Sequence, residues 1–319
     1  MENKANVKLL SLAGQGGSAF GITLLELMKE RDDIMVLSAD MSTPAGLDKF
    51  KSTYPHHFMN VGIAEQNMIG IAAGLAEEGF KVICVAQACF LTMRCYEQIR
   101  QFAGYMGIPM ILVGIGSGLS LQYMGNTHYA LEDIALMRTI PEMNIMVPCD
   151  ALEASKVFEN ATKNNKATYI RLYGGTGIPV VHLNDFGFES DKTITLREGK
   201  DVTILATGSM VKQALLAADM LTQHNIDAEV IDVFSIQPFN GEILEKSTGK
   251  KLVATIEEHR LIGGLGCVVS EYITNNHLRT KLLKIGIADI YPLPGSYPYM
   301  LEQCGLTAEQ ITNNILKNI

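Results

Sequence analysis

The sequence has no excess of positive charge: 34 acidic side chains outnumber 26 Lys and Arg, a formal net charge of -8. Binding to nucleic acid needs a basic footprint that displaces counterions from phosphates, so this balance excludes a broad surface of that kind. Long apolar runs are missing as well. Met110-Ile111-Leu112-Val113 is of strand length, far below the roughly 20 residues of a membrane span, and Met1-Glu2-Asn3-Lys4 leads into no secretory stretch. These absences point to a cytoplasmic protein that meets neither nucleic acid nor membrane. The six cysteines (Cys84, Cys89, Cys95, Cys149, Cys267, Cys304) form no CxxC pair and no His/Cys cluster of the zinc type. In a reducing compartment they read as buried small hydrophobes. No glycine cluster completes a phosphate motif. Gly14-Gln15-Gly16-Gly17 precedes a helix but lacks the Rossmann spacing and a Walker lysine. Gly114-Ile115-Gly116-Ser117-Gly118 is incomplete too, and Gly263-Gly264-Leu265-Gly266 reads first as a tight turn.

What is present is an apolar, foldable chain. At 319 residues with 47% hydrophobic content it is long enough for two domains, each with a core. Short β-branched runs alternate with longer helical patterns, the mark of an α/β protein with mostly parallel sheets. Strands are expected at 35–38, 82–85, 110–113 and 144–147, with helices at 18–29, 66–79, 93–104 and 151–160. After a polar, turn-rich stretch at 182–192 the pattern restarts. There the strands are 202–205, 228–231 and 252–255, with helices at 211–224 and 267–273. The expected division is therefore 1–189 and 190–319.

One segment concentrates chemistry: Asn60-Val61-Gly62-Ile63-Ala64-Glu65-Gln66-Asn67-Met68, a turn into a small-residue helix with a carboxylate at its start. Taken alone, Glu65 complements a helix dipole. The segment does not stand alone. Ala88-Cys89-Phe90-Leu91-Thr92-Met93-Arg94-Cys95-Tyr96-Glu97-Gln98 follows, then Gly125-Asn126-Thr127-His128, Ile140-Pro141-Glu142-Met143, and Tyr169-Ile170-Arg171. In the second half come Ala206-Thr207-Gly208-Ser209, Ile236-Gln237-Pro238-Phe239, and Glu257-Glu258-His259 ahead of the Gly263 cluster. As an ordered set these runs resemble transketolases and the related deoxyxylulose-phosphate synthases, over nearly the whole chain.

The resemblance implies two three-layer α/β/α domains, a pyrimidine-binding domain followed by a transketolase C-terminal domain. It also implies thiamine diphosphate, an enzyme of the transferase class, and a set of roles. Glu65 would contact the ring nitrogen of the aminopyrimidine, so that the cofactor's own imino group removes the thiazolium proton. Phe90 would stack on that ring, with Met93 or Tyr96 sharing the contact, because the Arg94-Cys95-Tyr96 run is offset by about one residue from some relatives. Asp40 and Met41, at a strand end, would lie beside the thiazolium. His128 and Arg94 would face substrate. No Gly-Asp-Gly occurs in the chain, so the diphosphate and its Mg2+ or Ca2+ would be held by a partner, an N-terminal transketolase subunit, in an α2β2 heterotetramer; no metal ligand is assigned to this chain.

Departures from the family concern the sugar-phosphate end. Met124 stands where an acidic residue precedes the Thr-His loop, Gly116 or Ser117 where a histidine is usual, Gly174 where an arginine follows the Ile-Arg strand, and the Gly14-Gln15-Gly16 region where another arginine is expected. Gly and Met cannot replace groups that grip phosphate. The expected activity is transfer of a two-carbon ketol unit from a ketose to an aldose, on sugars with a different terminal group, such as sulfonated or branched ones. Two alternatives stay open: a deoxyxylulose-phosphate synthase-like or 2-oxo-acid dehydrogenase beta-type subunit, and a non-catalytic assembly subunit.

Overall fold

The computed structural model describes residues 18–174 and 180–319. The Gly14-Gln15-Gly16-Gly17 cluster lies outside the described residues. Two sheets organise the chain. The first has seven strands: β1 (Ile34–Ser38), β2 (Phe58–Asn60), β3 (Lys81–Gln87), β4 (Ile111–Ser117), β5 (Asn144–Met146), β6 (Thr168–Tyr173) and β10 (Ser235–Gln237). Their order is β10-β5-β6-β4-β3-β1-β2, and every pairing except β10 with β5 is parallel. The second sheet contains β7 (Ile194–Arg197), β8 (Val202–Ala206), β9 (Ala228–Asp232), β11 (Leu252–Arg260) and β12 (Leu282–Ile287), ordered β12-β11-β8-β9-β7 with only β7 antiparallel.

Alternation along the central strands explains the layers. On β3, Val82, Cys84 and Ala86 face one core while Ile83 and Val85 face another. The Ile83 side is covered by helices α1 (Ser18–Leu27), α2 (Asp48–Thr53) and α6 (Ala151–Lys163) through Phe20, Leu24, Phe50, Val157 and Phe158. The Val82 side is covered by α3 (Glu65–Glu77) and α5 (Asp133–Arg138), with Met68, Ile69, Ala72, Ile134 and Met137 in contact. The second sheet is packed by α7 (Met210–Thr222) and, at the chain end, α11 (Ala308–Leu316) on one face and by α9 (Leu265–Asn275) on the other. Leu265, Val268 and Val269 of α9 lie in the same core as Met68 of α3, so one apolar seam runs across both sheets.

Two details differ from the pattern read in the sequence. The expected helix at 93–104 starts earlier and is irregular: Phe90–Arg94 and Arg100–Tyr105 are π-helical, flanking the α-turn α4 (Tyr96–Ile99). A π-turn carries one residue more per hydrogen-bonded ring than an α-turn, so this stretch does not follow the 3.6-residue period read from the sequence. Second, β10 lies in the second half of the sequence yet completes the edge of the first sheet, so a cut near Ser190 does not separate the sheets cleanly. All six cysteines are free; Cys84, Cys89, Cys95 and Cys149 are buried, while Cys267 and Cys304 are half-buried. No helix of the described residues is long and apolar enough to cross a membrane.

Candidate functional site

In parallel sheets the carboxyl ends of the strands carry ligand sites, because loops there are free to vary while the strands hold their bases fixed. Four loops at that edge bring the candidate residues. Asp40 follows β1, Glu65 opens α3 just after β2, Phe90 follows β3, and His128 lies in the loop after β4.

Asn60, whose role the sequence did not reveal, joins the first two loops. Its side-chain oxygen accepts from Asp40 N (3.1 Å) and Gly62 N (3.0 Å), and its amide donates to Asp40 Oδ1 (3.2 Å). Asp40 sits at φ 57° and Gly62 at φ 75°. The glycine supplies the left-handed turn that aims α3, whereas the tie to Asn60 holds Asp40 in a conformation its side chain disfavours. Met41 is half-buried in the core beneath, its N–H donating to Ser38 Oγ at 2.9 Å.

Glu65 is almost fully buried, at 3% exposure, and no side chain caps α3. The carboxylate accepts instead from Arg94 Nη1 at 2.7 Å. The Arg94 guanidinium lies over the Phe90 ring, 4.3 Å from its centroid, and Gln66 Nε2 donates to the Arg94 carbonyl at 3.1 Å. Phe90 also meets the His128 ring edge-on at 5.5 Å, and His128 Nδ1 is 2.9 Å from Thr127 Oγ1. Glu65, Arg94, Phe90 and His128 thus form one chain of contacts. Tyr96 points elsewhere: its hydroxyl pairs with Thr139 Oγ1 at 2.5 Å, at the C-terminal end of α5.

A cleft of about 710 Å³ opens beside this chain, lined among others by Phe90, Met93, Arg94, Thr127, Glu132 and Tyr291. Met93 is exposed on its wall. The second half of the chain closes the far side. Asn126 Nδ2 donates to Pro292 O (3.0 Å), and Arg260 spans Glu132 Oε1 (2.6 Å) and the Tyr291 ring (4.7 Å).

Beneath the cleft a buried network fixes its floor. Asp133 Oδ2 accepts from Tyr169 OH and Arg171 Nε, both at 2.7 Å, and Arg171 Nη2 donates to Ala130 O and Glu258 O at 3.0 Å each. Arg171 is 5% exposed and held through Nε and Nη2, so it serves as a brace for the His128 loop rather than as a cleft-facing cation. Glu258 accepts from Leu119 N (2.6 Å), Ser209 Oγ (2.6 Å) and Tyr297 OH (2.5 Å). The close approach depends on Gly118, at φ 59°, where a Cβ would lie 2.3 Å from Glu258 Oε1. Burial lowers the His259 pKa to about 4, against the pull of Asp133.

Comparison with known proteins bears on the fold and the family. Residues 15–174 match the transketolase pyrimidine binding domain, and residues 191–311 the transketolase C-terminal domain. The chain is 36% identical to a subunit of the apulose-4-phosphate transketolase of Phocaeicola vulgatus, covering 94% of this chain and 96% of that one. It is 36% identical to a subunit of the 6-deoxy-6-sulfo-D-fructose transketolase of a Clostridium species, over 90% of this chain and 89% of that one. Among solved structures, a split gene transketolase described as an inactive beta4 tetramer superposes with a TM-score of 0.85 at 36% identity, covering 95% of this chain and 98% of that one. Transketolases generally use thiamine diphosphate with a divalent metal. Two domain matches that together span most of the chain, and relatives similar along their whole length, establish that this protein belongs to the transketolase family.

Proposed function

We propose that this chain is the half of a two-chain, thiamine diphosphate-dependent transketolase that supplies the proton contact to the cofactor. It would transfer a two-carbon ketol unit from a ketose to an aldose. The observation that carries the reading is Glu65: a buried carboxylate at the carboxyl edge of a parallel sheet, held by the half-exposed Arg94 beside an aromatic face. Those residues fit the cofactor. A charged group so buried needs a hydrogen-bonding partner, and Arg94, 42% exposed, is free to yield that place. The aminopyrimidine would then rest on Phe90 with its ring nitrogen against Glu65, while Asp40, Met41 and Met93 bound the adjacent ends of the site. When bound, thiamine diphosphate supplies the electron sink for carbon–carbon cleavage.

This chain's own residues orient the ring, keep water from Glu65 and hold a proton at its carboxylate. His128, braced through Ala130 by Arg171, would meet a sugar hydroxyl or carbonyl, and Arg94, once released from Glu65, would turn toward substrate. Tyr96 is assigned no cofactor contact, since its hydroxyl is committed to Thr139. The diphosphate and its Mg2+ or Ca2+ would belong to an N-terminal partner subunit in a cytoplasmic α2β2 assembly, with a pyrimidine-binding domain to about residue 189 and a C-terminal domain from 190. The relatives named for apulose-4-phosphate and for 6-deoxy-6-sulfo-D-fructose direct attention to branched and sulfonated ketoses.

The test is reconstitution. The chain is co-expressed with an N-terminal transketolase subunit, and ketol transfer without CO2 release is measured across phosphorylated, branched and sulfonated ketoses. Transfer that needs both chains and disappears in Glu65→Gln supports the proposal. Release of CO2 from a 2-oxo acid, or transfer undiminished in Glu65→Gln, would overturn it.

A further inference from the structure

Away from the cleft, four side chains from distant parts of the chain converge in a fully buried cluster: Cys149, Glu153, His182 and Asp232, with one ligating atom from each lying within 4.8 Å of all the others. Cys149 follows β5, Glu153 lies in the first turn of α6, His182 belongs to the segment between β6 and β7, and Asp232 ends β9. Their exposures are 1%, 0%, 8% and 0%. The backbone is fixed around them by Asp150, which caps α6 through Glu153 N (2.9 Å) and accepts from Val181 N (3.0 Å) and His182 N (2.7 Å). The imidazole is stacked on Phe186 at 4.0 Å.

One hydrogen bond lies inside the cluster, from Cys149 N–H to Glu153 Oε2 at 2.6 Å, and it leaves the remaining side-chain atoms facing one another. Among the described residues, Glu153 Oε1, His182 Nε2 and both carboxylate oxygens of Asp232 have no hydrogen-bond partner. His182 Nε2 lies 3.9 Å from Glu153 Oε1 and 3.8 Å from Asp232 Oδ2. Those separations are too long for hydrogen bonds. They are wider than the roughly 3.3–3.5 Å between nitrogen and oxygen ligands about 2.0–2.1 Å from a tetrahedral zinc, so a small inward movement of the side chains would bring them onto one ion. Burying several unpaired polar atoms together is costly, and a cation satisfies all of them at once.

We propose that Cys149, Glu153, His182 and Asp232 form a structural site for a zinc-class divalent cation. One sulfur, one imidazole nitrogen and two carboxylate oxygens make a borderline-soft set, suited to Zn2+ or Co2+ and unsuited to Mg2+ or Ca2+, which take oxygen alone. Four protein ligands leave no open position, so the ion is a clamp rather than a reaction centre. It would pin the first turn of α6, the segment joining the halves, and the end of β9, at the seam between the sheets. The sequence concealed the site because its ligands are spaced as Cys-x3-Glu, then 29 and 50 residues on, unlike a zinc motif.

The experiment uses the full chain purified without chelator. Metal analysis is expected to find about one zinc per chain. Exchange for Co2+ is expected to give tetrahedral visible bands with a near-ultraviolet thiolate band, the latter lost in the near-isosteric Cys149→Ser. His182→Gln and Asp232→Asn should each weaken Co2+ binding at least about tenfold, with far-ultraviolet circular dichroism unchanged. Absence of zinc together with no Co2+ spectrum overturns the proposal, as does a Co2+ spectrum unaltered in Cys149→Ser and His182→Gln. A variant that fails to fold is replaced in the test by wild-type protein treated with chelator. A fall in Tm reversed by Zn2+ but not by Mg2+ supports the clamp, and an unchanged Tm overturns it.

Discussion

Arg94→Ala tests how the site changes on receiving its cofactor. The guanidinium pairs with the Glu65 oxygen at 2.7 Å and covers the Phe90 face at 4.3 Å, the two positions that the proposed reading gives to the pyrimidine ring. A charge-assisted hydrogen bond to a half-exposed arginine contributes about 1–1.5 kcal/mol after solvent screening. The cation–π contact adds about 0.5 kcal/mol at such exposure. Docking of the ring must give up both, about 2 kcal/mol, unless Arg94 finds new partners. Its deletion should therefore lower the cofactor Kd by about tenfold to thirtyfold, since 1.4 kcal/mol is a factor of ten. The assay is calorimetric titration of the two-chain complex with thiamine diphosphate in Mg2+, together with KM for the sugar, which should rise as Arg94 is lost from the substrate side. A cofactor Kd that stays the same or increases in Arg94→Ala would refute the placeholder role.

Two further outcomes follow from the buried network. Asp133→Ala strands the Arg171 guanidinium without its counter-ion at 5% exposure and should cost about 3–5 kcal/mol. That corresponds to a fall in Tm of at least roughly 6 °C by calorimetry, and a change below about 2 °C would contradict the brace. His259 has a folded pKa near 4 against an unfolded value near 6.5, so the unfolded chain takes up a proton first as pH falls. Wild type should lose about 3 kcal/mol relative to His259→Gln between pH 6.5 and pH 4; parallel stability curves for the two proteins would refute the assignment.

Much of the scaffold was legible because it is locally encoded. β-branched runs such as Val82-Ile83-Cys84-Val85 became central strands, and the helix behind Glu65 begins where its sequence leads one to expect. The failures are tertiary in origin. β10 is three residues long and pairs with a strand about 90 positions earlier, so no local pattern announces it. The π-turns around Phe90 depart from the 3.6-residue period, so helical periodicity placed the start of that helix too late. Asn60 was visible only as the first letter of the Glu65 segment; its hydrogen bonds to Asp40 and Gly62 depend on β1 and β2 lying side by side. Arg171 stood in the sequence only as the end of the Tyr169-Ile170-Arg171 run; its brace role appears when Asp133 and two carbonyls take its Nε and Nη2 donors in the fold. Cys149, read as an ordinary buried thiol, and His182, at the start of the polar stretch, meet Glu153 and Asp232 only once both sheets are in place.

The central claim is that Glu65 makes the proton contact on which cofactor activation depends. Deuterium exchange at the thiazolium carbon, followed by quenched-flow NMR in the assembled two-chain enzyme, reads that contact without needing the true sugar. Glu65→Gln, which keeps the shape and removes the acid, should slow exchange by at least about 100-fold while cofactor remains bound. Exchange at close to the wild-type rate in that variant would contradict the account.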